Sequence, residues 1–469
     1  MLAIFLGTRA NAGDPAAAEP VRIVPPASGS AASGPRYDLA FLEASAILVG
    51  GTAWYWWDQR TNRRDWDDPP FLARFDGDAW RLDNNRFGIN FLGHPLTGAL
   101  SYGLARAHHF GPGGAFLFAF GTSLAWELGI EFKEKVSIND VLVTGPTGVP
   151  IGEVAYKLGT EVAEALSPTV DGASPVPPRR YRRMDITYSA GDRIASGVVP
   201  AFVQVIRYRG DIVWLSDYRR EASFSKWFCQ AEAATLGLDV LGTAHGFGFA
   251  GEATTLLAGY HAQDLLGDSD GIGPSHRQRG WAVTAGIPLG FRYVASSALG
   301  FRELVASMRM PGLSASVALS AGDWRLEAYA QANADFAGLS APSYPAWRTE
   351  NPGGTGKTIL AREGYFYGFG PSGRASLTLG FGPIEIGAEG SFLRIRSLDG
   401  LDRAQETLAV DQRVRTQLWD GTLRISSRIA QSPVRVEGQW GATSWTTAID
   451  DRVTKWTSRA VTAGVSFAF

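Results

Sequence analysis

Apolar side chains follow two different spacings along the chain, and the change lies near residue 185. Before this point, apolar residues recur at the spacing of an α-helix. After it, apolar and polar residues alternate, as they do in β-strands whose two faces meet different surroundings. The first region predicts helices over residues 38–57, 95–108, 113–134 and 148–166.

The alternating region confines its charge to one face of each predicted strand. Positions between the charged ones are apolar, as at Trp324, Ile386 and Trp440. We expect the charged face to line the lumen of a β-barrel. The residues predicted for the lumen are Arg325, Glu327, Glu385, Glu389, Arg424, Arg428, Arg435 and Glu437.

The connections between these strands alternate in length. Short turns are predicted at 321–323, 382–383 and 431–433, and long loops near 337–364, 397–411 and 447–457. Short turns on one side, long loops on the other and long two-faced strands are typical of a transmembrane antiparallel β-barrel. Closure pairs every backbone group, which a strand in hydrocarbon requires. We predict about 12 strands. A soluble antiparallel sandwich or barrel is the alternative, because the same alternation fits an apolar interior.

The chain divides into three parts. Residues 1–36, with Ala10-Asn11-Ala12 as a cleavage-site pattern, are predicted to be a signal remnant and a disordered leader. Residues 37–183 form a helical module that ends in a proline-rich and basic linker, and residues 184–469 form the barrel. We expect the helices to plug the lumen or to cover its periplasmic mouth. This organisation places the protein in the outer membrane of a Gram-negative bacterium.

Composition excludes several classes of function. The formal net charge of −2 offers no basic field for nucleic acid. The single cysteine, Cys229, excludes an intramolecular disulfide and any multi-cysteine metal site. Residues 351–358 look like a phosphate-binding loop, but Asn351 stands where the pattern needs glycine, and strands are predicted on both sides. We therefore predict no nucleotide.

Candidate chemistry is concentrated in the helical module. Glu127, Glu131 and Glu134 have the spacing of one helix face. His94 stands at a predicted helix entrance, and Asp140 follows the acidic stretch. His94, Glu127, Glu131 and Asp140 are therefore candidates for general acid–base catalysis, or for binding a divalent cation through nitrogen and oxygen. No other cofactor is expected. Equally, these residues suit a structural network in which Asp140 caps a helix and Glu131 pairs with a lysine.

Residues 90–153 resemble a bacterial family of envelope proteins defined by a domain of unknown function. The family pattern has an Asn, then His-Pro-x-x-Gly and a Tyr, then Trp-Glu, Ser-x-x-Asp and Gly-Glu. The chain departs from it at Thr144-Gly145-Pro146, where the family tends to have Thr-Pro. The resemblance implies an envelope location and no established activity. The matching residues, besides the four candidates above, are Asn90, Pro95, Gly98, Tyr102, Trp126, Ser137, Thr144, Gly148, Gly152 and Glu153.

Three functions fit these observations. The first is a structural or transport-related outer-membrane barrel with a helical plug or cap. The second is a membrane-embedded enzyme that acts on lipid or envelope glycan through the cluster around His94. The third is a scaffold for a periplasmic partner, which would bind residues 38–57 and the basic linker at 179–183. The expected partners are outer-membrane lipid and the barrel-assembly machinery, which reads a C-terminal strand such as the one ending at Phe469.

Overall fold

The computed structural model describes most of the chain outside the N-terminal leader. The described residues are 34–58, 68–76, 79–83, 85–166, 181–195, 204–215, 223–243, 246–266, 279–296, 302–352, 359–398, 413–429 and 434–468. Most of the predicted leader, most of the linker and Phe469 lie outside them.

The helical module consists of five α-helices, two π-helical turns and a two-stranded parallel ribbon. The helices are α1 (Tyr37–Asp58), α2 (Ala73–Asp76), α3 (His94–Ala107), α4 (Pro112–Ala125) and α5 (Ile138–Leu166). The π-helical turns, Ile89–Gly93 and Trp126–Ile130, precede α3 and follow α4. The ribbon pairs β1 (Trp80–Arg81) with β2 (Val136–Ser137).

Two predicted helix boundaries are wrong. The helix predicted over 113–134 ends at Ile130, after its π-helical turn. The helix predicted over 148–166 begins ten residues earlier, at Ile138, and continues through Pro146 and Pro150. Ser137 caps the start of this helix, because its hydroxyl accepts the backbone N–H of Asp140 at 3.2 Å. The Ser-x-x-Asp pattern therefore opens the long helix and not a separate short turn.

In the described part of the chain, thirteen strands follow in one antiparallel sheet. The first begins at Tyr181, so the end of the predicted linker is already strand. The strands are β3 (Tyr181–Ala195), β4 (Gln204–Leu215), β5 (Ser223–Thr243), β6 (Gly246–Leu266), β7 (Arg279–Ser296), β8 (Glu303–Arg309), β9 (Leu313–Ala321), β10 (Trp324–Ser340), β11 (Tyr365–Phe381), β12 (Ile384–Ser397), β13 (Val414–Arg428), β14 (Val434–Ile449) and β15 (Arg452–Ala468).

Each of these strands is paired along both edges. Strands β3 to β7 pair in sequence order, and so do β10 to β15. The short strands β8 and β9 both pair with β7 on one side and β10 on the other, so they occupy a single position. Strand β15 pairs with β3. The series of pairings therefore returns to its first strand.

The connections distinguish two ends of the sheet. At the turn end, Gly322 and Gly382 adopt φ of +63° and +54° in two-residue turns, a backbone region that favours glycine. At the loop end, residues 341–364 join β10 to β11 and contain α6 (Tyr344–Glu350) and α7 (Ile359–Glu363). The long loop predicted near 447–457 is wrong. Strands β14 and β15 continue through it and are joined by residues 450–451 alone.

The sheet curls with its charged face on the inside. Arg374 of β11 lies 3.3 Å from Glu252 of β6, although three strand positions separate β11 from β6. Strands are spaced by about 4.8 Å, so the two side chains would be roughly 19 Å apart on a flat sheet. Arg292 of β7 likewise lies 3.8 Å from Asp420 of β13. Such contacts form only across a concave interior.

The opposite face of the sheet is apolar and exposed. On β13, the exposed fractions of Trp419, Leu423 and Ile425 are 56%, 53% and 56%. The Arg424 side chain lies between two of these and points to the interior, where it pairs with Glu385. A soluble barrel would bury the apolar face and expose the charged one. The described strands have the reverse arrangement.

The helical module packs on this outward face, and not in the charged interior. The Phe91 ring lies against Gly338, where an added Cβ would be 2.1 Å from it. Gly338 alternates along β10 with inward-facing Ala337 and Leu339. Leu289 of β7 joins the core of the module from the same outward face. These contacts lie on the outside of the sheet, so they are not the contacts of the predicted lumen plug or periplasmic cap.

A different segment fills the interior at the loop end. Tyr344 and Trp347 of α6 and Leu360 of α7 pack against inward-facing residues of the surrounding strands. The wall of this loop-end cluster includes Val305, Leu339, Phe366, Ile395, Val414 and Ile449. All of them are buried, so α6 and α7 occupy the place that the sequence assigns to the helices of the module.

Candidate functional site

His94 lies where the first π-helical turn passes into α3, with Pro95 in the first turn of the helix. Its imidazole faces two residues of α5. Nδ1 is 3.3 Å from the Thr144 hydroxyl, and Nε2 is 3.4 Å from Oδ1 of Asp140. Asp140 and Thr144 are four residues apart, so they share one face of α5. The second distance is longer than a good hydrogen bond, and it marks proximity rather than a strong contact.

The imidazole is only partly accessible. About one fifth of the His94 side chain is exposed, and the Asp140 carboxylate is almost fully buried. In its neutral form an imidazole has one ring nitrogen that can accept a proton. An imidazole placed beside a hydroxyl and a carboxylate is suited to general base chemistry.

A hydrogen-bond network at the start of α5 fixes Asp140. Asn139 donates from its side-chain amide to Asp140 Oδ1 at 2.6 Å. Its own oxygen accepts the backbone N–H of Asp83 at 2.6 Å. The backbone N–H of Ser137 donates to the buried Glu127 carboxylate at 3.0 Å. Glu127 thus completes the helix cap from another helix, while Asp140 is left facing His94.

The sequence predicts that Glu127, Glu131 and Glu134 share one helix face, and the structure shows that they do not. The π-helical turn inserts an extra residue per turn and ends at Ile130, so Glu131 and Glu134 lie beyond the helix. Glu131 accepts the indole N–H of Trp126 at 2.9 Å, and Glu134 accepts the hydroxyl of Tyr55. Of the four candidate residues, His94 and Asp140 face each other at 3.4 Å, and the buried Glu127 lies close enough to Asp140 and Glu131 to interact with them electrostatically.

Arg74 is a buried residue that sequence analysis does not single out. Its guanidinium donates to the backbone oxygens of Glu127, Phe132 and Glu134, and so holds the turn after α4 in place. Burial lowers the pKa of Arg74, against the effect of the nearby carboxylates. Nothing in its polar, turn-rich stretch of sequence distinguishes it from the neighbouring arginines.

Tyr102 and Glu153 form a second polar group between α3 and α5. The Tyr102 hydroxyl donates to Glu153 at 2.8 Å. Arg106 and Lys157 pair with the same carboxylate at 2.9 and 3.3 Å. These contacts satisfy the buried acid with two cations and a hydroxyl, and they make this group a structural one.

Three glycines allow α3 and α5 to touch backbone to backbone. A Cβ added to Gly98 would lie 1.7 Å from the Thr144 carbonyl oxygen, and one added to Gly148 would lie 2.3 Å from the Gly98 carbonyl carbon. At Gly152 an added Cβ would lie 2.8 Å from the Tyr102 ring. The family pattern therefore includes residues that bring His94 within reach of α5.

Asn90 joins the module to the wall of the sheet. Its amide donates to the hydroxyls of Tyr365, at 3.0 Å, and Tyr367. The Tyr365 hydroxyl donates in turn to the Asn85 carbonyl at 2.7 Å. The alternating Tyr365-Phe366-Tyr367 at the start of a strand is the one sequence signal that indicates this contact.

The predicted lumen residues are on the concave face, and most are paired. Glu385 accepts from Arg424 at 2.9 Å and from Arg435 at 2.6 Å. Glu389 pairs with Arg374 at 2.7 Å, and Arg325 pairs with Glu327. Arg428 and Glu437 occupy the same face of their strands. Sequence analysis misses further members of this network, which are Glu252, Arg292, Arg309, Asp335, Arg374 and Asp420.

The described residues offer no support for the predicted cation. Among them, no group of three or more His, Cys, Asp or Glu side chains is arranged to hold a metal ion. His261, on β6, lies 2.7 Å from the Thr284 hydroxyl and 3.2 Å from the Gln263 side-chain oxygen. His245, His276 and most of the 351–358 segment lie outside the described residues.

Comparison with known families finds one match. Residues 79–173 match a domain of unknown function, DUF3943. The predicted membership of this segment in a domain-of-unknown-function family is confirmed to that extent. The match covers the site around His94 and ends before β3, the first strand of the large sheet. No functionally curated protein matches the chain.

Several solved structures of outer-membrane proteins are similar to the chain. A KdgM porin matches at 11% identity, with 61% of this chain and 99% of that one covered and a TM-score of 0.21. OmpT, an outer membrane protein of Vibrio cholerae, matches at 7% identity, 64% and 100% coverage and a TM-score of 0.23. An outer membrane channel from Pseudomonas putida F1 matches at 12% identity, 64% and 100% coverage and a TM-score of 0.25. TM-scores this low carry no weight for fold or function.

Proposed function

We propose that the chain is an outer-membrane β-barrel protein of a Gram-negative bacterium with a transport-related role. In this proposal the twelve strand positions close into a barrel and the outward face meets lipid. One observation carries it: large apolar side chains are exposed on the outward face, while charged side chains pair across the concave interior. Only a bilayer makes that arrangement favourable. Outer-membrane lipid and the barrel-assembly machinery are the expected partners.

Helices α6 and α7 are the proposed gate of this barrel. The interior beyond them is lined by paired but partly accessible charges, including Glu389 and Arg374. At the loop end, Tyr344 and Trp347 of α6 and Leu360 of α7 pack into an apolar cluster with the surrounding wall. In this proposal transport requires the gate helices to leave this cluster, and weakening their anchors favours the open state.

Conductance across planar lipid bilayers tests this role. The full chain is expected to conduct rarely, and the double variant Tyr344→Ser and Trp347→Ser is expected to conduct several-fold more often. Trp419→Ser is the matched control, because Trp419 faces outward and is exposed. Equal and negligible conductance in all three proteins would contradict the transport role and favour a structural one.

A second candidate function is a membrane-embedded enzyme acting on lipid or envelope glycan. The observation that favours it is the position of the His94 ring between Thr144 and Asp140. In this role His94 is the general base and Asp140 orients it. Glu127 and Glu131, which are bound to Ser137 and Trp126, serve the fold.

The His94→Gln variant separates catalysis from structure. Outer-membrane lipids and glycans of cells that express the full chain are compared by mass spectrometry with those of cells expressing the variant. An enzyme predicts a modified species that disappears with His94→Gln while the variant stays folded in the membrane. Identical profiles would contradict the enzymatic role.

A further inference from the structure

We infer that the helical module lies within the lipid bilayer, against the outer wall of the barrel. The helices concerned are α1, α3, α4 and α5, and the proposed ligand of their outward surface is the acyl chains of membrane lipid. The inference rests on the proposed outer-membrane barrel. It replaces both locations predicted from the sequence, because it places the helices neither in the lumen nor in the periplasm.

The first observation is the level at which the module meets the wall. Leu289 lies near the middle of β7, and Leu257 lies near the middle of β6. Both pack into the core of the module, with Leu289 only 5% exposed. Mid-strand positions of a transmembrane barrel lie near the centre of the bilayer. The module therefore covers a patch of wall that lipid would otherwise cover.

The second observation is the chemistry of the outward surface of the module. Leu100 of α3, Leu117 of α4 and Val49 of α1 are 56%, 67% and 69% exposed. Their exposure continues the apolar surface of the neighbouring strands. On a module surrounded by water, an apolar patch of this kind marks a site where another molecule binds. In a bilayer the acyl chains of lipid cover the patch, so no specific protein partner is needed.

The third observation is the length of the apolar helical segment that lies between two ion pairs. The ion pair of Lys133 with Asp68 lies just beyond the π-helical turn that follows α4. The ion pair of His108 with Glu43 lies just before the start of α4. Between them, Pro112–Ile130 is long and apolar enough to cross a membrane, and 28% of it is buried. Its 19 residues correspond to about 28 Å, close to the hydrocarbon thickness of about 30 Å.

The fourth observation is how the helices pack on each other. Gly98, Gly148 and Gly152 let α3 and α5 approach until their backbones touch. Small residues four apart, as at Gly148 and Gly152, are typical of helix pairs in membranes, where close packing replaces the hydrophobic effect. The buried carboxylate of Glu153 on α5 faces α3 and pairs there with Arg106.

Lipid-borne quenching of a fluorophore tests the inference on the full chain. Single cysteines are introduced at Leu117 and Val49 with Cys229 replaced by serine, labelled with bimane, and reconstituted into vesicles that contain doxyl-labelled lipid. Leu423→Cys, on the outward face of β13, is the positive control. Glu350→Cys is the water-exposed control, because its side chain is more than half exposed. Each variant counts as folded if the unboiled protein keeps the compact, faster-migrating form that a closed barrel gives on a detergent gel.

We expect quenching at both module sites to match that at the Leu423 site and to exceed that at the Glu350 site several-fold. Quenching at the Leu423 site alone would overturn the inference and leave the barrel proposal standing, because the module would then contact water or protein. Quenching at none of the three apolar sites would overturn the barrel proposal and the inference together.

Discussion

The backbone of Gly98 lies against the Thr144 carbonyl so closely that a Cβ on Gly98 would be 1.7 Å from its oxygen. This contact sets the spacing between α3 and α5. It thereby brings His94, one turn before Gly98, to the face of α5 that carries Thr144 and Asp140. A glycine of the domain pattern therefore has a packing role, and the imidazole depends on it.

The Gly98→Ala variant is expected to lose about 2–4 kcal/mol of unfolding free energy, because the helices must separate to admit the methyl group. Gly103→Ala is the matched control on the same helix, since nothing lies within 4 Å of a Cβ at that position. The control is expected to be neutral or to gain up to about 1 kcal/mol from helix propensity. Unfolding in detergent, followed by circular dichroism, measures both. Equal effects would contradict the backbone contact.

Gly338→Leu is expected to detach the helical module while the strands still fold. A Cβ at this position would be 2.1 Å from the Phe91 ring, so a leucine displaces that ring from the wall. Gly421→Leu is the matched control, because it faces outward on β13 with nothing within 4 Å of its Cβ. Limited proteolysis should cleave the module more rapidly in Gly338→Leu alone. Unchanged protection would show that the module does not dock through Phe91.

Glu385→Gln is expected to destabilise the barrel interior more than Glu327→Gln does. Glu385 is largely buried and pairs with both Arg424 and Arg435, so its loss leaves two guanidinium groups facing each other. We expect a cost of about 1–3 kcal/mol. Glu327 is more accessible and pairs with Arg325, so the cost there is about 0–1 kcal/mol. Melting on semi-native gels ranks the two variants, and an equal effect would contradict the network.

The sequence predicts the strand faces well and the location of the module poorly. The alternation around Leu423 and Arg424 separates outward from inward residues, because a strand places successive side chains on opposite faces. Nothing local shows that Phe91 meets Gly338, a contact between residues 247 positions apart in the chain. The prediction that Glu127, Glu131 and Glu134 share one helix face is wrong for a local reason. A π-helical turn shifts the helical register by one residue, and nothing in the sequence marks that turn.

The candidate site is predicted in part. His94 and Asp140 are recognised from residue type and position, and they do approach each other. Arg74 and Asn139 are missed, because their roles depend on backbone groups that only the folded chain brings to them. The role of Glu131 in such a site stays a prediction, and its side chain accepts the indole N–H of Trp126.

The most direct test of the central claim compares boiled and unboiled protein on a detergent gel, using the outer-membrane fraction of cells that express the full chain. A closed barrel with paired strands resists detergent at room temperature and unfolds on boiling. We predict a compact, faster-migrating form before boiling and a slower form afterwards, both in the outer-membrane fraction. A single mobility together with recovery in the soluble fraction would contradict the outer-membrane barrel.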